Sequence, residues 1–203
     1  MKNFIQVFGR QIELTEEQSK ALYERYAQPG VKLAEVKPNE TFWIGQHEFV
    51  VLEQHDGSAS VICRNLIGED IAFGKSNRYE KSDADKTCNA FAEEIAGIIG
   101  EESLLLHTVD LTSDDGLKDY GNIERKVSLL TADLYRRFVY ILDLHKVDSW
   151  WWLATPCSTK RHENDRWVKC VSPSGSLRDD NCGIDDRGVR PFCILRSDIF
   201  VSK

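Results

Sequence analysis

The chain predicts an α+β domain, antiparallel strands with two flanking helices, preceded by a small N-terminal strand–helix appendage. Three observations carry this. Short apolar runs separated by turn residues fill residues 36–64 and 150–195, the pattern of paired strands joined by exposed loops. Two stretches, behind Ser82 and behind Thr131, place apolar residues at helical spacing after a capping residue. Strands and helices do not alternate regularly, which argues against a parallel α/β sheet. The 203 residues suit one domain, or one domain with an appendage. We divide the chain into 1–35, the appendage, and 36–203, the main domain.

Residues Phe4 to Leu14 alternate loosely around Gly9-Arg10 and read as a short hairpin or a bent strand. Thr15-Glu16-Glu17-Gln18 is a capping box, in which hydroxyl and amide each satisfy a backbone N–H of the other's residue. A helix should follow to about Ala27, burying Leu22, Tyr23 and Tyr26, and stop at Pro29-Gly30. Thr41 to Ile44 and His47 to Gln54 flank Gly45-Gln46 as a tight hairpin. Asp56-Gly57 turns into a third strand, Ala59 to Arg64.

Leu66 to Lys81 is polar and Gly-containing and reads as irregular. Ser82 caps a helix from Asp83 to Ile99, with Phe91, Ile95, Ile98 and Ile99 as its apolar stripe and Gly100 as its stop. Thr112 to Gly116 is a loop, and Lys126 to Leu130 a short strand. Thr131 caps a second helix from Ala132 to about Leu142, with Leu134, Phe138 and Ile141 inward and Arg136 and Arg137 solvated.

The C-terminal block is three apolar runs and two polar segments. Trp150 to Pro156 is a strand. Its alternation sends Trp150 and Trp152 to one face and Trp151 to the other, so it is covered on both sides. The runs around Val168–Val171 and Val189–Leu195 follow. The segments between them, Ser158 to Arg166 and Ser176 to Arg187, read as displayed loops. Trp167, an aromatic in polar surroundings, is a candidate contact residue. Arg190, before Pro191, reads as structural, its guanidinium on carbonyls or a carboxylate beneath the loops.

Composition removes several function classes. A net charge of −7 argues against a nucleic-acid-binding body. No apolar run approaches a membrane span and Met1-Lys2-Asn3-Phe4 does not begin a signal peptide, so no membrane insertion and synthesis in the cytoplasm are expected. A place in a phage particle, or release by lysis, stays open. There is no P-loop, dinucleotide fingerprint, zinc-protease helix or nucleophile elbow. The six cysteines contain no C-x-x-C pair and read as reduced, several of them core residues. Cys157, His162, Cys170 and Cys182 match no compact zinc module, and Asp179-Asp180 with Asp185-Asp186 have no EF-hand spacing. We expect no cofactor, no resident metal and no catalytic residue.

The blocks Trp151-Trp152-Leu153-Ala154-Thr155-Pro156, Val171-Ser172-Pro173-Ser174-Gly175 and Gly188-Val189-Arg190-Pro191-Phe192-Cys193-Ile194-Leu195 resemble a domain family of bacteria and their prophages with a W-W-L-R-S-P…G-V-R-P-A-L pattern. The run Val36 to Gln54 looks like that family's opening hairpin, so the resemblance spans Val36 to Leu195. Departures are Ala154, where the family often has Arg, and Phe192-Cys193, where it often has Ala-Leu. The family is similar to C-type lectin-like folds, including the variable proteins of diversity-generating retroelements. The resemblance implies a lectin-like scaffold whose loops bind a ligand, usually a protein. Retroelement mutagenesis acts on adenines, and Arg178 to Arg187 contains only residues an Asn codon can reach by it, a set that covers most residue types.

The expected function is therefore a non-enzymatic, phage- or prophage-associated binding module for a host protein, with the appendage serving oligomerisation or attachment. Its ligand face would be Lys160, Arg161, His162, Asn164, Asp165, Arg166, Trp167, Arg178, Asp179, Asp180, Asn181, Asp185, Asp186 and Arg187. Two alternatives stand beside it. One is a phage-encoded inhibitor of a host defence protein, of the anti-CRISPR kind, to which the acidic charge is suited. The other is a relative of the formylglycine-generating enzymes, which share the lectin-like fold and use cysteines.

Overall fold

The computed structural model describes residues 3–7, 10–18 and 30–203. It is a mixed α+β structure with mostly antiparallel sheets. At the N-terminus β1 (Asn3–Val7) and β2 (Arg10–Leu14) pair as an antiparallel hairpin, Asn3 opposite Leu14. The capping box forms as expected: the Gln18 N–H donates to Thr15 Oγ1 at 3.1 Å and the Thr15 N–H to Gln18 Oε1 at 3.0 Å. Glu16 to Gln18 begin the helix; its expected course to Ala27, with Leu22, Tyr23 and Tyr26, lies outside the described residues.

The main sheet is built on the predicted meander of β4 (Thr41–Ile44), β5 (His47–His55) and β6 (Ser58–Cys63). Gly45 and Gly57 make its two turns with φ of 58° and 77°, values that a side chain would disfavour. β14 (Phe192–Arg196) lies against β6, with Phe192 opposite Ile62. β7 (Leu104–Leu105) and β10 (Val127–Ser128) both pair with β14. The expected strand Lys126–Leu130 is thus only two residues long. Beside it β8 (His107–Asp110) and β9 (Asn122–Arg125) form a small antiparallel pair.

Helices cover both faces of this sheet. Helix α1 (Asp83–Ile99) places Phe91 and Ile95 in the cluster that holds Phe42, Phe49, Val51 and Val61. Helix α2 (Ala132–Leu144) places Tyr135, Phe138 and Leu142 in the opposite cluster with Val50, Leu52 and Ile62. β5 therefore sends alternate residues into two cores, which is why Phe49-Val50-Val51-Leu52 reads as an unbroken apolar run. Each such fully buried side chain is worth about 1.5–3 kcal/mol over its exposed state. Two details of the helix faces differ from expectation. Ile98 is 50% exposed, packed beside the Gly45 turn rather than in the core. The inward face of α2 centres on Tyr135, Phe138 and Leu142, with Leu134 and Ile141 at its margins, because Tyr135 reaches back to donate to the Gly175 carbonyl and stacks edge-on against Trp151. Arg136 and Arg137 are exposed as expected, and each carries an ion pair, to Asp114 and Asp133 and to Glu53.

A second, three-stranded sheet carries the C-terminal block: β11 (Trp151–Pro156), β12 (Trp167–Val171) and β13 (Leu177–Asn181). Trp152 lies in the α1-side core and Trp151 in the α2-side core, as the alternation requires. β11 is the first strand of its sheet, yet its outer edge is not free. The Trp152 N–H donates to the Gly188 carbonyl at 3.0 Å, and the Ala154 N–H to the Leu130 carbonyl at 2.8 Å. Ser176 to Arg187 is not a displayed loop throughout, because its first half is β13, laid along β12 with Lys169 opposite Asp179. Leu177-Arg178-Asp179-Asp180-Asn181 has poor strand propensity; the ladder offered by β12 overrides it.

The two ends of residues 30–203 meet. β3 (Val31–Lys32) pairs with β15 (Phe200–Val201), and the Leu33 N–H donates to the Ile199 carbonyl at 2.9 Å. Leu33 is fully buried in the α1-side core. Residues 31–35, which the sequence division assigns to the appendage, therefore pack with the main body. Arg190 is 1% exposed and donates to the carbonyls of Cys63 (2.9 Å) and His145 (2.8 Å), its guanidinium over Trp151. It ties the ends of β6 and α2 to the entry of β14, the structural role expected of it. Among the described residues no helix is long and apolar enough to cross a membrane.

Candidate binding surface

The segment from Cys157 to Arg166 joins β11 to β12, and it is held from below by side chains from two other loops. Asn77 is fully buried. Its amide nitrogen donates to the carbonyls of Ser158 (2.9 Å), Trp167 (3.1 Å) and Asn164 (3.2 Å). Its amide oxygen accepts from the Tyr120 hydroxyl at 2.7 Å, and its backbone N–H donates to the Asp165 carbonyl at 2.8 Å. Two amide hydrogens shared among three carbonyls leave no polar group of this side chain unpaired.

Two carboxylates hold the outer half of the loop. Asp115 accepts from the hydroxyls of Ser113 and of Ser158 (2.6 Å) and faces His162 Nδ1 at 3.1 Å. These hydroxyls, Ser113 first, hold its carboxyl down from 3.8 to about 2. Asp119 accepts from the Thr159 hydroxyl at 2.6 Å and from Arg161 Nε at 3.1 Å, which keeps its carboxyl below the usual range. Thr159 also caps the single 3-10 turn Lys160–His162, and Glu163 follows it with a left-handed φ of 54°.

On the neighbouring strands Trp167 stands opposite Asn181, and Lys169 lies between Asp114 (3.5 Å) and Asp179 (3.7 Å). Arg166 reaches across to donate to the Lys75 carbonyl at 2.7 Å. Arg187, expected on the ligand face, is 8% exposed, lies 4.5 Å above the Trp150 ring and pairs with Asp180 and Asp186. A guanidinium stacked on an indole and paired twice acts as a strut beneath the surface.

Of the remaining expected contact residues, Lys160, Arg161, His162, Arg166, Trp167, Arg178, Asp179, Asp185 and Asp186 are exposed, while Asn164, Asp165, Asp180 and Asn181 are half-buried. Arg161, His162, Arg166 and Asp180 spend their polar atoms on internal bonds. Trp167 remains 43% exposed at the start of β12. Of the residues that fix the surface, Asn77, Asp119 and Tyr120 were not singled out by sequence. They come from stretches with no periodicity, and a lone Asn or Asp there carries no signal until the fold brings it beneath the loop.

The chemistry open to the site is narrow. Ser158 and His162 both face the same Asp115 carboxylate, so they do not form the nucleophile–base–orienter relay of acyl transfer. Burial pushes the thiols of Cys157 and Cys170 up to about 12 and that of Cys182 upward as well, the reverse of what a reactive thiolate needs. Among the described residues no three His, Cys, Asp or Glu side chains converge as a metal-ligand set. No protein-family model, no curated protein and no solved structure matches the chain.

Proposed function

We propose that this chain is a non-enzymatic binding module of C-type lectin-like architecture, phage- or prophage-associated, which presents the Cys157–Trp167 surface to a protein ligand. The observation that carries the reading is the buried Asn77 beneath the loop. A surface whose backbone carbonyls are already bonded loses little freedom on binding, so its exposed aromatic can contribute more of its contact energy. Trp167, anchored on β12 opposite Asn181, is the expected centre, because exposed Trp on rigid strands dominates such contacts. The lectin-like assignment is supported by the pairing of β3 with β15, which brings the ends of the domain together, by the two flanking helices, and by the small separate sheet that carries the loops. Raised thiols at Cys157, Cys170 and Cys182 weigh against the cysteine-enzyme alternative.

The paired residues narrow where substitution is tolerated. Asp180 and Arg187 belong to a largely covered ion pair, so variation between copies of such a module should fall instead on Lys160, Arg178 and Asp185, which carry no such pairing among the described residues. The test is capture of partners from host lysate by immobilised protein, with wild type and a Trp167→Ala/Lys160→Ala variant side by side. A partner retained by wild type and weakened at least about tenfold by the variant supports the reading. A partner retained equally by both would move the ligand site elsewhere.

A further inference from the structure

We propose that a second site, a cavity of about 230 Å³ in front of helix α1, binds the phosphate group of a small molecule. Four cationic residues line it, Lys75, Arg78, Lys81 and Lys86, in a chain whose net charge is −7. Its two lining carboxylates are already matched, Glu80 by Arg78 at 2.5 Å and Asp83 by Lys86 at 2.7 Å. Lys75 and Lys81 are exposed and have no carboxylate partner among the described residues. The cavity thus holds two uncompensated ammonium groups and a guanidinium.

The cavity also contains a donor that is built in rather than displayed. Ser82 lines it and is 7% exposed. Its Oγ accepts from the Asp85 N–H at 3.0 Å, and its own O–H proton has no acceptor among the described residues. Its hydroxyl, already the cap of the helix, keeps one proton to donate. The start of the helix does not supply the binding: the Asp83 and Ala84 amides donate to the Phe73 carbonyl at 2.9 and 3.3 Å, and the Lys86 amide to the Ser82 carbonyl. The anion is held by side chains.

The donor set selects the ligand. Two ammonium groups and a hydroxyl match a tetrahedral dianion with several acceptor oxygens better than a flat, singly charged carboxylate. The volume exceeds that of phosphate alone and falls below the roughly 300–1,000 Å³ of pockets for drug-sized ligands, which fits a small phosphomonoester. The site stands beside the Trp167 surface, joined through the bond from Arg166 to the Lys75 carbonyl, and does not depend on the function proposed for that surface.

The test is a titration of the full chain with inorganic phosphate, followed by backbone amide NMR shifts at constant ionic strength, with sulfate and acetate in parallel. Phosphate and sulfate should give saturable shifts confined to residues 74–86, and acetate should not. A Lys75→Ala/Lys81→Ala variant should weaken phosphate by about tenfold or more while the rest of its spectrum stays that of the folded wild type. Shifts that never saturate, that acetate reproduces equally, or that persist unchanged in the variant would overturn the proposal.

Discussion

At the scale of single residues, buried polar groups set the shape of the surface. Asn77→Ala removes the donor of three carbonyls and the acceptor of the Tyr120 hydroxyl. An unsatisfied buried polar group costs about 1–3 kcal/mol, so the variant should lose at least about 3 kcal/mol in chemical denaturation. Trp152, equally buried, should keep its near-UV signal, because its own packing is untouched. His107 supplies a pH dependence. It donates to or accepts from the Ser128 hydroxyl at 2.8 Å and packs edge-on to Phe192, and burial pushes its pKa from 6.5 down to about 4. The unfolded chain binds a proton between those values that the folded chain refuses, so stability falls as pH drops from 6.5 and the loss is complete below about 4. The shift corresponds to roughly 3 kcal/mol. A His107→Gln variant should flatten that part of the stability–pH curve relative to wild type. Asp115 acts in a separate window: its carboxyl is held at about 2 against 3.8, so its contribution is present above 3.8 and disappears as pH falls toward 2.

At the scale of elements, local chemistry was legible and tertiary overrides were not. Helix α2 starts where Thr131 can accept from the Leu134 N–H at 3.2 Å. Thr131→Ala should therefore cost about 1 kcal/mol, read as a lower denaturation midpoint with unchanged slope. Such signals made the β4–β5–β6 meander, both helix starts and the Trp alternation of β11 readable, because each depends on neighbours within a few residues. β13 was misread as loop because Arg178-Asp179-Asp180-Asn181 favours turns by composition; only the distant ladder of β12 makes it a strand. The burial of Arg187 was not legible for the same reason. The stacking partner Trp150 and counter-ion Asp180 lie 37 and 7 residues away, and no spacing in the sequence announces either.

At the scale of the whole molecule, strand pairing between β3 and β15 closes the domain, and two cores share one sheet. Removing residues 199–203 would uncover Leu33 and break the bond from the Trp43 N–H to the Ser202 carbonyl at 2.8 Å. The truncated chain should unfold at a markedly lower temperature, because it loses a ladder and the cover of a fully buried leucine together. Within this closed frame the buried Asn77 amide holds the Cys157–Trp167 loop by its backbone carbonyls. The most direct measurement is amide hydrogen exchange of the full chain across residues 157–167. Exchange should be slow at Cys157, His162, Glu163 and Asn164, whose N–H groups donate to Trp167, Thr159, Lys160 and Thr159 carbonyls, and that protection should be lost in Asn77→Ala. Exchange in wild type at the rate of an unstructured peptide would contradict it.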